Sequence, residues 1–313
     1  MLKPLIATAL LLSSGWAIAA EPPLTAALYA QKLGVGMDVD WARTERGIRE
    51  FDPLVVRDFR AKGISHVRIR VADEPTEARL IHLRKLVEAC EQYGVIPIIA
   101  YQADSYKNDP KADNEKEVTD WWIAVAHYFG KRSPLLGFDL IYEPADKLNH
   151  NAASLNRVYE KTIKVIHSID ADRMIFIAPR LRAAPKISPA SSCLRTAKTF
   201  CWRSGISFRG GPLKNNGKYP WTSGMAAEKA AIHNRIATAL RWQQKTGHVS
   251  WVGAGAWGSQ TALHPPRRKW PLPRLWPASC KRRKYPTRLT PISSFYDGEE
   301  GAWRPAPERC WRR

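Results

Sequence analysis

Glu143 is the carboxylate whose setting most favours chemistry. It lies near the end of Leu135–Ala145, LLGFDLIYEPA, which reads as a short apolar strand closed by a carboxylate and a proline. Strand alternation puts Phe138, Leu140 and Tyr142 on one face and Asp139, Ile141 and Glu143 on the other. Pro144 has no N–H to give a sheet ladder, so the strand stops there. Where strands and helices alternate around a barrel, the C-terminal strand ends carry the reactive groups. A plain loop carboxylate is the alternative, and this stretch alone does not separate the two. Asp38 and Asp40 on a first strand, and Arg68 and Arg70 on a second, form further pairs two residues apart, each sharing a face. The two aspartates suit either the hydroxyls of a bound ligand or the cap of the following turn. Among the histidines, His167, His233 and His248 lack ligand spacing and a cysteine partner, so neither a metal site nor a cofactor is expected.

These residues need a frame that brings strand ends together. The chain supplies alternating strand and helix patterns. KLGVGMDVDW (32–41), HVRIRV (66–71), IPIIAYQA (96–103), Leu135–Ala145, RMIFIAPR (173–180) and HVSWVG (248–253) read as strands. Between them, a helix starts at Asp52 with Pro53 in its first turn and Gly63 as its stop. Residues 77–94 form a second helix with Leu80, Leu83, Val87 and Cys90 on one apolar stripe, which makes Cys90 a core residue. Further helices cover 114–130, 151–170 and 225–247. No hairpin signal separates the strands, so the sheet is expected to be parallel. At 313 residues, a closed (β/α)8 barrel (TIM barrel) is the expected fold, incomplete or distorted in its C-terminal half.

The first 20 residues have Lys3, an apolar run from Leu5 to Leu12, and Ala17 and Ala19 in an A-x-A pattern. They read as a secretory signal peptide, which places the mature protein outside the cytoplasm, secreted or periplasmic. No segment reaches the length of a membrane span. The net charge of +20 comes from 49 basic and 29 acidic residues. It is not spread evenly: residues 253–294 hold nine basic residues and no acidic one, and residues 187–210 hold four and none. The tail 307–313 sets three arginines against Glu308. These same blocks carry Cys193, Cys201, Cys280 and Cys310. A uniform excess of this size would point to nucleic acid or an anionic surface; blocks of this kind do not.

With FRAKGISHVRIRV, FDLIYEPA, RMIFIAPR and HVSWVG in this order, residues 32–253 resemble glycoside hydrolase family 5, the cellulase-like (β/α)8 enzymes. The resemblance implies hydrolysis of O-glycosyl bonds in a β-glucan-type polysaccharide with retention of configuration. It implies Glu143 as acid/base and Arg68 as the cation that supports the nucleophile. Tyr142 stands where the family has an Asn that bonds the sugar 2-hydroxyl, and Gln102 or Tyr101 where a His is common. These three, with Trp41, Trp221 and Trp251 as flat faces for sugars to stack on, are the expected substrate contacts. Trp121 and Trp122 lie on a helix and are expected in the core.

The family's nucleophile is a Glu at the end of the seventh strand. Here no acidic residue follows HVSWVG until Asp297. Reading segments 187–210, 253–294 and 307–313 as out of frame accounts jointly for the lost acids, the added cysteines and the lost periodicity. In a shifted frame AWGS (256–259) permits VGES, which restores a glutamate at the required place. The expected organisation is thus a signal peptide (1–20) followed by one glycoside hydrolase domain (21–306) carrying those segments, without its sixth and eighth strands and with open sheet edges. A polysaccharide is the expected partner of a monomer, with no nucleic acid and no membrane. Two alternatives come from other classes: a carbohydrate-binding pseudoenzyme without its nucleophile, and a basic nucleic-acid-binding protein using the aromatic-interleaved run 267–284.

Overall fold

The computed structural model describes residues 24–180, 200–207, 226–256, 287–289, 296–297 and 302–303. Eight parallel strands close into a barrel in sequence order: β1 (Val35–Ala42), β2 (Ile64–Val71), β3 (Ile96–Tyr101), β4 (Gly137–Asp139), β5 (Met174–Ile177), β6 (Phe200–Ser207), β7 (Val249–Ala256) and β8 (Thr287–Leu289). The (β/α)8 class expected from sequence is the one found. The expected open edges are not: Phe200–Ser207 pairs with β5 and β7, and Thr287–Leu289 joins β7 to β1. Backbone pairing requires only extended chain, so segments with no strand-like alternation still complete the ring.

Helix α1 (Ala26–Leu33) precedes β1 and was not visible as a pattern. Thr25 caps it, its hydroxyl accepting from the Leu28 N–H at 3.2 Å. Helix α1 therefore takes Lys32 and Leu33 from the expected first strand, which begins at Val35 after Gly34 turns the chain at φ +57°. Tyr29 and Leu33 are buried against Ile96, Ile98, Met174, Phe176 and Trp251. The outer layer includes α2 (Glu45–Arg49), α3 (Leu54–Ala61), α4 (Glu77–Gln92), α5 (Asp104–Asn108), α6 (Ala112–Phe129), α7 (Ala152–Ile169) and α8 (Ala226–Thr246). Pro53 is the residue before α3, and the Asp52 carboxylate accepts from the Leu54 N–H at 2.9 Å. The predicted stripe of α4 is buried, Cys90 with it, and burial pushes that thiol's pKa up, leaving it inert. The predicted face of α7, Leu155, Tyr159, Ile163 and Ile166, is buried as well. Trp121 and Trp122 lie in the core, as expected of helix residues.

The fourth strand is much shorter than Leu135–Ala145. Only Gly137–Asp139 pair as a strand, and a 3-10 turn at Asp146–His150 follows. The backbone N–H groups beyond β4 still find partners: Leu140 donates to Phe176 O at 3.0 Å and Tyr142 to Tyr101 O at 2.7 Å. The chain therefore bends while staying pinned to both neighbours, and the period-two alternation ends at Asp139. Among the described residues no helix is long and apolar enough to cross a membrane.

Candidate active site

Residues 36, 38 and 40 of β1 and residues 66, 68 and 70 of β2 have the parity that faces the barrel axis. Parallel pairing sets Asp38 beside Arg68 and Gly36 beside His66. Gly36 is glycine because a Cβ there would lie 2.2 Å from the His66 ring. Gly137, next to Ile98, is glycine for a similar reason: a Cβ would come within 2.7 Å of Phe176 and 2.9 Å of the Tyr29 hydroxyl. The two missing side chains make room for the larger ones that fill the barrel.

Arg68 is fully buried and fully committed in direction. Its Nε and Nη2 donate to the two Asp38 oxygens at 2.7 and 3.0 Å, and its Nη1 donates to Asp139 Oδ2 at 2.8 Å. The fork matches a carboxylate bidentately, which fixes the guanidinium plane. The Tyr142 ring stacks on that plane, its centroid 4.1 Å from Arg68 Cζ. The Tyr142 hydroxyl donates to Asp38 Oδ2 at 3.2 Å and accepts from Arg70 Nη1 at 3.4 Å. Arg70, nearer the mouth, pairs with the half-exposed Asp40 at 2.5 Å. Asp38, Arg68, Asp139 and Tyr142 thus tie β1, β2 and β4 together under the rim. The alternation read from sequence put Tyr142 with Phe138 and Asp139 with Glu143. The structure joins Tyr142 and Asp139 instead, because the bend after β4 turns Tyr142 inward, while Phe138 packs on Trp122 outside the ring.

Glu143 follows at the rim, half-buried, with φ +49°. Ala103 (φ 49°) after β3 and Asp146 (φ 55°) after Glu143 share the left-handed backbone. For residues with a Cβ this conformation costs about 1–2 kcal/mol each, and it gathers in the two loops that frame Glu143.

The other expected substrate contacts separate. Gln102 follows β3 at the rim and is buried, its backbone N–H donating to Val71 O at 2.7 Å and its Nε2 without a hydrogen-bond partner among the described residues. Tyr101 is buried too, but on the outer side: it stacks on Trp121 at 4.4 Å, and its hydroxyl donates to Glu117 at 3.0 Å. Burial and the neighbouring Glu117 push its phenol pKa up. A cavity of about 400 Å³ opens beside this pair, lined also by Glu74, Asp113, Lys116, Glu117 and Asp120. Trp41 is corrected to a core residue, its ring 5.1 Å from Phe51 and 5.6 Å from Phe59 under α3. Trp251 is corrected as well. The seventh strand continues to Ala256, so Trp251 sits in mid-strand, fully buried against Phe176 (4.9 Å) and His66 (5.5 Å) in the barrel floor. Trp221 lies outside the described residues, as do the run 267–284 and the segment AWGS beyond Ala256. Sequence reasoning missed Asp139 and Lys107 as parts of the site; Asp139 shares inward parity with Arg68, whereas no pattern marks Lys107. Among the described residues no group of three His, Cys, Asp or Glu side chains could hold a metal ion.

The family model for cellulase, glycosyl hydrolase family 5, matches residues 36–200. A comparison with curated proteins finds no match. Among solved structures, the endoglucanase Cel5A of the hyperthermophile Thermotoga maritima superposes with a TM-score of 0.76 at 16% identity, over 92% of this chain and 100% of that one. Cellulose synthase subunit Z of Clostridioides difficile gives 0.74 at 15%, over 90% and 100%. A broad-specificity endoglucanase from Clostridium longisporum gives 0.73 at 11%, over 90% and 95%. Strands β2 to β5, the buried arginine on the second strand and the glutamate after the fourth thus sit in a matched stretch that spans more than half of the chain, and the chain belongs to glycosyl hydrolase family 5, whose glycosidase fold it carries.

Proposed function

We propose that this protein is an exported, endo-acting β-glucanase that works by double displacement, with Glu143 as its acid/base. The observation that carries the reading is a carboxylate held at the rim just past the C-terminal end of the fourth strand of a family 5 barrel. In the first step the Glu143 carboxyl gives its proton to the leaving glycosidic oxygen while a second carboxylate attacks the anomeric carbon. In the second step Glu143, now ionised, takes a proton from the water that releases the sugar. The two carboxyl groups of a retaining pair stand about 5–5.5 Å apart. Arg68, fixed by Asp38 and Asp139, is the cation that the reading sets below the nucleophile, and Tyr142 and Gln102 are the rim residues that meet the substrate. One protein of this fold, Cel5A of Thermotoga maritima, was solved with mannotriose and with cellobiose, which supports a β-linked glycan as the substrate class. Residues 1–20 supply the export signal.

The second carboxylate is not written in β7, whose residues Val249–Ala256 contain no acid. The reading places it in the shifted frame of AWGS. A protein that binds glycan without cleaving it is the second reading, and the acid-free β7 is what favours it.

Reducing-sugar release from soluble β-glucan tests the first reading. Glu143→Gln is expected to lower the rate by about 10²–10⁴-fold, the range for loss of general acid–base catalysis. A rate that Glu143→Gln leaves unchanged overturns the assignment. Sequencing the gene decides between the readings: an uninterrupted frame through 253–294 as written, with glycan binding and no sugar release, establishes the binding protein.

A further inference from the structure

Lys107 is buried although it lies on α5, a five-residue helix after β3. Lysines are almost never buried without a partner that needs them. Its Nζ is 2.6 Å from Asp104 Oδ1 and 3.4 Å from the Tyr142 carbonyl oxygen, to which it donates. That carbonyl belongs to the peptide that enters Glu143, so its direction and the Glu143 φ of +49° are set together.

The helix that carries Lys107 is anchored from the other side. The hydroxyls of Tyr106 and Ser154 share a hydrogen bond of 2.7 Å, and Ser154 Oγ donates to Glu115 Oε1 at 2.5 Å. Arg157 donates to the same Glu115 oxygen at 2.7 Å. Helix α5 is thereby tied to α6 and α7, and it is joined to β3 through Ala103, itself left-handed at φ +49°. Residue Tyr142 is then held at three points: the N–H by Tyr101 O, the side chain by Asp38 and Arg70, and the carbonyl by Lys107. A left-handed non-glycine residue persists only where its surroundings over-determine it.

We propose that Lys107 is a positioning residue for Glu143: its buried ammonium grips the Tyr142 carbonyl and keeps the next residue left-handed, which fixes where the Glu143 carboxyl stands. This rests on the reading of Glu143 as acid/base. A lysine serving only to neutralise Asp104 would need neither burial nor a carbonyl partner.

Crystal structures of the full chain and of Lys107→Met test it. The expected result is a Glu143 backbone that leaves the left-handed region, with β3, β4 and α5 in place. In glucanase assays kcat is expected to fall on the order of 10- to 100-fold, the cost of misplacing a reacting group by about 1 Å, while KM is unmoved. Lys107→Gln keeps an amide donor and is expected to hold the Glu143 φ near +49°, while Lys107→Ala, which also removes the donor, carries the test if the methionine variant does not fold. A Glu143 φ that stays near +49° in the variant without a donor overturns the proposal. Activity that survives Glu143→Gln overturns the acid/base reading instead, and leaves the crystallographic result on Lys107 standing.

Discussion

The barrel interior has two levels of opposite character. The floor is apolar: Tyr29, Leu33, Ile96, Ile98, Met174, Phe176 and Trp251 pack together, with the His66 imidazole against Trp251. The level above is polar: Asp38, Arg68, Asp139 and Tyr142 bond to each other under the rim formed by Asp40, Arg70, Gln102 and Glu143. Between the two, Arg68 lies 5.8 Å from the Trp251 ring and 4.1 Å from that of Tyr142. The floor holds its shape by excluding water. The polar level can hold its shape only by satisfying each charge, since a buried ion without a partner costs several kcal/mol. One level therefore responds to lost volume or an added proton, and the other to a lost bond.

The largest effect is expected at the centre of the polar level. Arg68→Met removes the cation that, among the described residues, bonds both Asp38 and Asp139, and takes three hydrogen bonds from two buried carboxylates. Breaking a buried pair in this way costs about 3–5 kcal/mol, read as a fall in the denaturant midpoint at constant m. Adding Asp38→Asn to Arg68→Met is expected to recover part of that loss, because one of the two buried carboxylates that Arg68 balanced is then neutral. A double variant no more stable than the single one would mean that packing, and not charge, makes Arg68 matter.

The floor is tested with protons. His66 is fully buried, its Nδ1 2.7 Å from Leu33 O, and burial above all, helped by the Arg68 charge, depresses its pKa from 6.5 to about 4. The unfolded chain therefore binds a proton at this site at higher pH than the folded one. Stability from the neutral ring is complete above about pH 6.5 and is lost as pH falls from there towards 4. A shift of this size corresponds to roughly 3 kcal/mol. Denaturant titrations of the wild type at pH 7, 5.5 and 4 should show the loss, and His66→Gln should flatten it over the same interval. An equally steep slope in the variant would assign the acid sensitivity to other groups.

The two levels were not equally legible in the sequence. Strand β3 announces itself, because IPIIAY is apolar on both faces and is buried on both. Asp38 and Arg68 could be placed on one face by counting in twos, and their register then makes them neighbours. Counting failed where the backbone leaves the strand. Parity sets Tyr142 on the face opposite Asp139, yet the two meet in one cluster, because hydrogen bonds from Leu140 and Tyr142 to flanking strands bend the chain after Asp139. Trp251 was placed near a strand end because HVSWVG loses its pattern at Gly253, yet the strand runs on to Ala256 and leaves the indole in the floor. Helices α1 and α5, at eight and five residues, are too short to carry a readable period. Lys107 was invisible for that reason: its role depends on a carbonyl 35 residues further along the chain.

Tyr142 is where the polar level meets the rim, and Tyr142→Phe probes it with the smallest change. The ring remains over Arg68, and Asp38 keeps both of its bonds to that guanidinium. What disappears is a donation to Asp38 at 3.2 Å and a long acceptance from Arg70 at 3.4 Å. Hydrogen bonds of this kind contribute about 0.5–1.5 kcal/mol each, and the longer one belongs at the bottom of that range, since Arg70 keeps Asp40. A loss of about 1 kcal/mol in the denaturant midpoint is therefore expected, well below that of Arg68→Met. If Tyr142→Phe costs as much as Arg68→Met, the hydroxyl and not the guanidinium organises the polar level. If it costs stability but leaves β-glucan affinity unchanged in titration calorimetry, the Tyr142 hydroxyl serves the barrel alone, and of the two rim residues proposed to meet the substrate only Gln102 keeps that role.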